Sequence, residues 1–331
     1  MRKTKTFIIL LIITMTLSLP SVYSQDPEFS QFYANPLYLN PALAGANICP
    51  RLTGNFRDQW PGLQGSFVTF SGSYDQFVNT LHGGLGLLLT SDRTCSGKLN
   101  TTTINLMYAY KFNLTDHLYA SAALEAGYYQ RHLKWEDLIF EDMIDPRTGD
   151  ILPTNEKAPD VETIGQPDFS SGVFIGYDEI VYAGFSVSHL TEPRYGFYGD
   201  NTSFLYRKYT FHAGSVIDLA PGQGLGEREF SISPNVLYQQ QGKFHQLNLG
   251  TYITFDPIIG GLWFRHNFEN PDALIILAGI HYKSLRVGYS YDITLSRLSS
   301  VSGGSHEISA SWQFPCIEKR RHIRAIKCPR F

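Results

Sequence analysis

The stretch 302–314, reading SGGSHEISASWQF, constrains the fold more than any other part of the chain. Ile308, Ala310, Trp312 and Phe314 alternate without a break with Glu307, Ser309, Ser311 and Gln313. A period of two is a strand whose two faces meet different surroundings. The aromatic pair Trp312 and Phe314, closing the apolar face, suits the interfacial girdle of a membrane-spanning barrel. A soluble sandwich can own one such strand, so composition has to be consulted. Aromatic content is 14% and charged content 17%, yet no stretch beyond the N-terminal leader is apolar enough for a spanning helix. An apolar exterior spread over alternate residues produces that combination. The net charge of −3 is too small to argue for nucleic acid or an acidic partner.

The leader is legible. Arg2, Lys3 and Lys5 precede an apolar run from Phe7 to about Leu19 and the small-residue stretch 20–24. This pattern predicts a secretory signal peptide over 1–24, cleaved after Ser24 to leave Gln25 first. The run is too short for an anchoring helix, and no cysteine at the cleavage point supports a lipoprotein. Residues 25–50 carry prolines at 27, 36, 41 and 50, which predict an irregular, extended segment. Its aromatics and leucines would not stay exposed, so it is expected to pack in or at the barrel.

Strand-like runs separated by turn signals occupy 51–60, 66–76, 81–91, 99–112, 116–130, 169–178, 180–190, 206–219, 228–239, 244–256, 258–268, 272–283, 285–294 and 302–314. If the last strand runs inward, periplasmic turns fall near 77–80, 113–115, 179, 220–227, 257 and 284. The opposite side receives 61–65, 92–98, 131–168, 191–205, 240–243, 269–271 and 295–301, including the two longest loops. Short turns inside and long loops outside are the asymmetry of outer-membrane barrels. The expected fold is therefore all-β, a single outer-membrane β-barrel over 51–314 with about fourteen antiparallel strands. Glu125, Arg265, Arg286 and Asp292 sit on strands where lipid contact is costly, so they should face inward.

After Phe314 comes a tail, 315–331, in which Lys319, Arg320, Arg321, Arg324, Lys327 and Arg330 face one acid, Glu318. By the strand count it is periplasmic. A solvated tail and a docking peptide for an acidic partner both fit this composition. The docking reading places the contact on Arg320, Arg321, Arg324 and Lys327. Cys49, Cys95, Cys316 and Cys328 are too scattered for a disulfide framework or a thiolate zinc site. Cys316 and Cys328 bracket the tail; they either pair in an oxidising periplasm or stay as free thiols. No zinc, phosphate-loop or nucleophile-elbow pattern occurs, and the acidic residues of 131–168 lack calcium-loop spacing. No enzymatic activity, cofactor or metal is expected.

Several motifs carry a resemblance. They are Gln31-Phe32-Tyr33-Ala34-Asn35-Pro36-Leu37-Tyr38-Leu39-Asn40-Pro41-Ala42-Leu43-Ala44-Gly45, then Arg57-Asp58-Gln59-Trp60, and Gly184-Phe185-Ser186-Val187-Ser188-His189-Leu190-Thr191-Glu192-Pro193. Gly288-Tyr289-Ser290-Tyr291-Asp292 and Gly304-Ser305-His306-Glu307-Ile308 complete them. Together the chain resembles the PorP/SprF family of Bacteroidota, outer-membrane components associated with the type IX secretion system and gliding. Asn35, Pro36, Asn40, Pro41, Ala42, Gly45, His189, Leu190 and Pro193 are the motif positions. The resemblance implies a barrel that couples periplasmic machinery to export or surface retention of secreted proteins. Implied partners are the periplasmic ring proteins or a peptidoglycan-binding lipoprotein, outer-membrane lipid, and the C-terminal domain of a secreted protein. A surface anchor for a gliding adhesin is the alternative role, and a diffusion porin a remoter one.

Overall fold

Alternating polar and apolar side chains need a sheet with two unlike faces, and in lipid that sheet must close so that no edge is left unpaired. The computed structural model describes residues 25–47, 49–178, 180–198, 203–220, 230–268 and 270–316. The strands are β1 (Arg51–Gln59), β2 (Phe67–Val78), β3 (Gly83–Thr94), β4 (Leu99–Asn113), β5 (Leu118–Leu133), β6 (Thr163–Tyr177), β7 (Val181–Ser188) and β8 (Lys208–Ser215). They continue as β9 (Ile217–Ala220), β10 (Phe230–Gln241), β11 (Phe244–Phe255), β12 (Ile258–Asn267), β13 (Asn270–Tyr282), β14 (Leu285–Thr294) and β15 (Ser305–Gln313). Neighbours pair antiparallel, β8 passes to β10, and β15 returns to β1 along Arg51↔Gln313 to Gln59↔Ser305. The result is a closed barrel of 14 strands, with β9 as one further strand outside the closure.

The outward face is apolar. Along β4, Ile104 and Leu106 lie exposed mid-strand, while Tyr108, Tyr110 and Phe112 follow towards the inner rim. Trp312 and Phe314 are likewise exposed at the inner end of β15. An aliphatic band ending in aromatics is the lipid-facing surface of a barrel. The inward face is polar and buried: Glu307, Ser309 and Ser311 on β15; Arg51, Thr53, Asn55 and Arg57 on β1; Arg265 on β12; Asp292 on β14.

Three expectations need correction. The long outer loop is shorter than 131–168, because β6 begins at Thr163. Gly165 and Pro167 signal a loop, but 163–170 project beyond β7 and pair only with β5, an edge position where a missing N–H is tolerated. The run 206–219 is not one strand. β7 gives out at the pair Val181↔Ser215, so Ile217–Ala220 has only β10 beside it and becomes β9. Finally, Cys316 does not pair with Cys328: it forms a disulfide with Cys49, which lies at the same inner rim just before β1. The leader 1–24, most of the turn near 220–227, Cys328 and the basic residues Arg320, Arg321, Arg324 and Lys327 lie outside the described residues.

Candidate functional site

The bore is occupied by the chain's own N-terminal segment. Its prolines allow only short helical turns, at Phe32–Ala34, Pro36–Leu39 and Pro41–Leu43. Those turns leave peptide groups unpaired, and inward-facing side chains of the wall satisfy many of them. Phe29, Phe32, Tyr33, Leu37, Leu43 and Ala44 are buried there. Phe32 meets Trp263 edge-on at 5.1 Å, and Tyr33 meets Tyr182 at 5.9 Å and Tyr252 at 6.2 Å. Such aromatic contacts add to the large area that these rings remove from water.

Mid-bore, four charges of balanced sign converge on Ser30. Arg57 reaches Asp292 at 2.9 Å and Glu307 at 3.3 Å, and Arg265 reaches Asp292 at 3.2 Å. The Ser30 hydroxyl accepts from Arg57 Nη1 at 2.6 Å and from Arg265 Nη2 at 2.7 Å, and donates to Asp292 at 2.6 Å. That exhausts what a hydroxyl can do. The backbone N–H groups of Ser30 and Gln31 donate to the two oxygens of Glu307, at 2.6 and 3.2 Å. The Gln31 amide donates to Ser290 and to the Glu307 carbonyl, and accepts from Ser309 at 2.5 Å. Buried charges are tolerable when paired and hydrogen-bonded in this way.

Deeper in the bore, the Asn-Pro-Ala-x-Ala-Gly motif finds its place. Asn40 caps the turn that follows, accepting from Ala42 N–H at 2.9 Å, while its amide donates to the Val173 carbonyl at 3.1 Å. Gly172 and Gly184 leave the room it needs, since a Cβ at either would strike its side chain. Asn35 donates to Ser71 at 3.0 Å. Gly45 has φ +60°, and a Cβ on it would lie 2.6 Å from the Gly84 Cα, so backbone meets backbone. Its N–H donates to Asp75 at 2.8 Å, which is itself paired with Arg51 at 2.9 Å, and Lys111 donates to its carbonyl. Pro36 opens a helical turn and Pro41 and Ala42 are buried.

At the outer mouth the histidine motif clasps the start of the segment. His189 has φ +58° and Glu192 φ +45°, an uncommon backbone for such residues, closed by Glu192 N–H donating to the His189 carbonyl at 3.0 Å. The imidazole contacts Asp168 at 2.6 Å and Asp26 at 2.8 Å, and Lys208 lies 3.9 Å from Asp26. Burial by itself would depress His189, but Asp26 and Asp168 raise it to about 10. Burial would raise Asp26, but His189 and Lys208 bring it down to about 2. Pro193 is buried and its carbonyl accepts from Leu205 N–H, while Leu190 is partly exposed and donates to the Phe169 carbonyl. The segment thus runs from Asp26 at the outer mouth to Cys49 at the inner rim, where the disulfide and a Phe314 N–H···O bond to Pro50 (2.9 Å) tie it to the end of β15.

Ser30, Asp26 and Asp168 were not singled out by sequence. Arg265 and Asp292 were read as inward-facing, and Arg57 and Glu307 lay in the quoted motifs. Charge on the polar face of a strand was the available signal; its convergence on Ser30 depends on the closure of β1, β12, β14 and β15 around the segment.

A closed transmembrane barrel with a polar, internally occupied bore is an outer-membrane β-barrel protein. The chain belongs to the family of type IX secretion system membrane proteins PorP/SprF, whose model matches residues 21–312. No curated protein matches it. Among solved structures it is similar to the Acinetobacter baumannii outer membrane protein Omp33, at 8% identity and TM-score 0.45, over 82% of this chain and 100% of that one. It is also similar to a mutant of the monoaromatic hydrocarbon channel TodX, at 11% identity and TM-score 0.46, over 84% and 94%. The KdgM porin is similar at 7% identity and TM-score 0.35, over 80% and 99%.

Proposed function

We propose that this chain is a non-enzymatic, non-conducting platform that couples periplasmic secretion machinery to export or surface retention of secreted proteins. The observation that carries the reading is the filled bore: residues 29–46 are almost all buried against the wall, so a diffusion path is not what the barrel offers. What remains for partners are the two rims. On the inner rim, Cys316 ties the root of the basic tail to Cys49. That anchorage supports a docking role for Arg320, Arg321, Arg324 and Lys327 on an acidic periplasmic partner, since clustered charge steers association. On the outer rim, the loop 134–162 exposes Ile139, Ile144, Ile151 and Leu152, which favours a surface anchor as the second reading.

Charge reversal of Arg320, Arg321, Arg324 and Lys327 separates the two. The coupling reading expects intact barrel insertion, with loss of crosslinked periplasmic partners and of secretion. Survival of both would move the contact to the outer loops.

A further inference from the structure

The N-terminal plug meets the wall in two different ways. Around Ser30 and Gln31 its polar groups are bonded directly to Arg57, Arg265, Asp292, Glu307 and Ser309. Around Asn35, against the inward faces of β1, β2 and β3, they are not.

Ser71 of β2 lies at the centre of this second region, and the Asn35 amide donates to its hydroxyl at 3.0 Å. Asn55 of β1 and Thr90 of β3 are its register neighbours on either side, and Ser73 is the next inward residue of β2. Adjacent strands lie about 4.8 Å apart and same-face residues of one strand about 7 Å apart, so all three border Ser71. Five buried polar atoms here have no hydrogen-bond partner: Asn35 Oδ1, Asn55 Oδ1 and Nδ2, Ser73 Oγ and Thr90 Oγ1. A buried polar atom without a partner is the exception in native proteins, and these five crowd around one hydroxyl. Turning the Asn55 amide over does not help. Both of its ends are unpaired, so a flip only exchanges them.

The chemistry of the set names its ligand. The two amide oxygens accept, the Asn55 Nδ2 donates, and the two hydroxyls do either. None of the groups is charged, and among the described residues no cluster of His, Cys, Asp or Glu suits a metal ion. The Nδ2 group disfavours a cation and the amide oxygens disfavour an anion. A neutral molecule that both donates and accepts satisfies them. Asn35, Asn55, Ser73 and Thr90 are 1%, 5%, 4% and 6% exposed, so that molecule has to be as small as water. Buried water typically makes about three hydrogen bonds to groups of this kind. Thr90 also lines the cavity of about 610 Å³ that opens above the plug among the outer loops, which brings solvent to the edge of the site.

We propose that Asn35, Asn55, Ser73 and Thr90 form a buried water-binding site that joins the plug to β1, β2 and β3. Bridging water holds two polar groups nearly as well as a direct hydrogen bond does. The plug is then held by direct bonds on the β14–β15 side of β1 and through water on its β2–β3 side. This holds whichever rim of the barrel meets a partner.

The test joins stability to structure. In a dry cluster, Asn55→Leu exchanges an unsatisfied amide for an apolar group of similar size, and the barrel should be as stable as before or more so. With water bound, the same change strips that water of its partners. The folding equilibrium constant, from reversible urea unfolding in lipid vesicles, should then fall about tenfold. Ser73→Ala removes one oxygen and keeps the test open if Asn55→Leu does not fold; it should lower the constant about threefold. A high-resolution crystal structure of the full-length protein should show ordered solvent about 2.7–3.2 Å from both ends of the Asn55 amide. No loss of stability in folded Asn55→Leu or in Ser73→Ala, or an Asn55 amide without solvent density beside it, would overturn the proposal.

Discussion

Ser30 shows how much one small side chain can organise. Its hydroxyl and N–H touch four charged side chains that come from β1, β12, β14 and β15. Ion pairs out of water are poor sources of net stability, but breaking one leaves a stranded charge. Arg57→Ala should therefore destabilise the barrel by about 3–5 kcal/mol in urea unfolding from lipid vesicles. A loss below about 1 kcal/mol would mean that the bore hydrates the cluster instead. His189 offers a pH signature at the same scale. Its value is raised from 6.5 to about 10, so its contribution is complete below about 6.5 and is lost as pH rises through about 10. Asp26 is lowered from 3.8 to about 2, so its contribution is complete above about 3.8 and is lost as pH falls through about 2. Hydrogen exchange at 25–31, corrected for intrinsic rates, should be flat from about pH 4 to 6.5 and quicken towards pH 10. His189→Gln should exchange at least about tenfold faster at pH 6 and lose the alkaline dependence.

At the scale of elements, the plug and the final strand act as one unit because Cys49 and Cys316 join them across 267 residues of sequence. Proteolytic mapping without reductant should yield a peptide joining Cys49 to Cys316. A Cys316–Cys328 peptide would instead return the tail to a closed loop. Pairings of this range are where sequence reading stops. Cys316 and Cys328 looked like partners because they are near in sequence, whereas Cys49 reaches Cys316 only once β1 lies beside β15. Strand faces were legible for the opposite reason. Leu285, Val287 and Tyr289 alternating with Arg286, Gly288 and Ser290 state their own orientation, and so does the run from His306 to Phe314. The interruption at Val216 was not legible, since β9 is set apart by the end of β7 and not by any turn residue of its own.

The whole molecule is a barrel whose bore is sealed from within by the segment that precedes its first strand. The strand count was readable because periods of two repeat around the closure. The path of the plug was not readable, because prolines say only that a segment is irregular. Its fit depends on wall residues such as Gly84, Gly172 and Asp75, which are far from it in sequence. The most direct test is planar-bilayer recording of the purified full-length protein. A bore sealed by residues 29–46 predicts a quiet membrane without steady large-conductance steps. Steady, large, ohmic channels from the intact, disulfide-bonded chain would contradict the account.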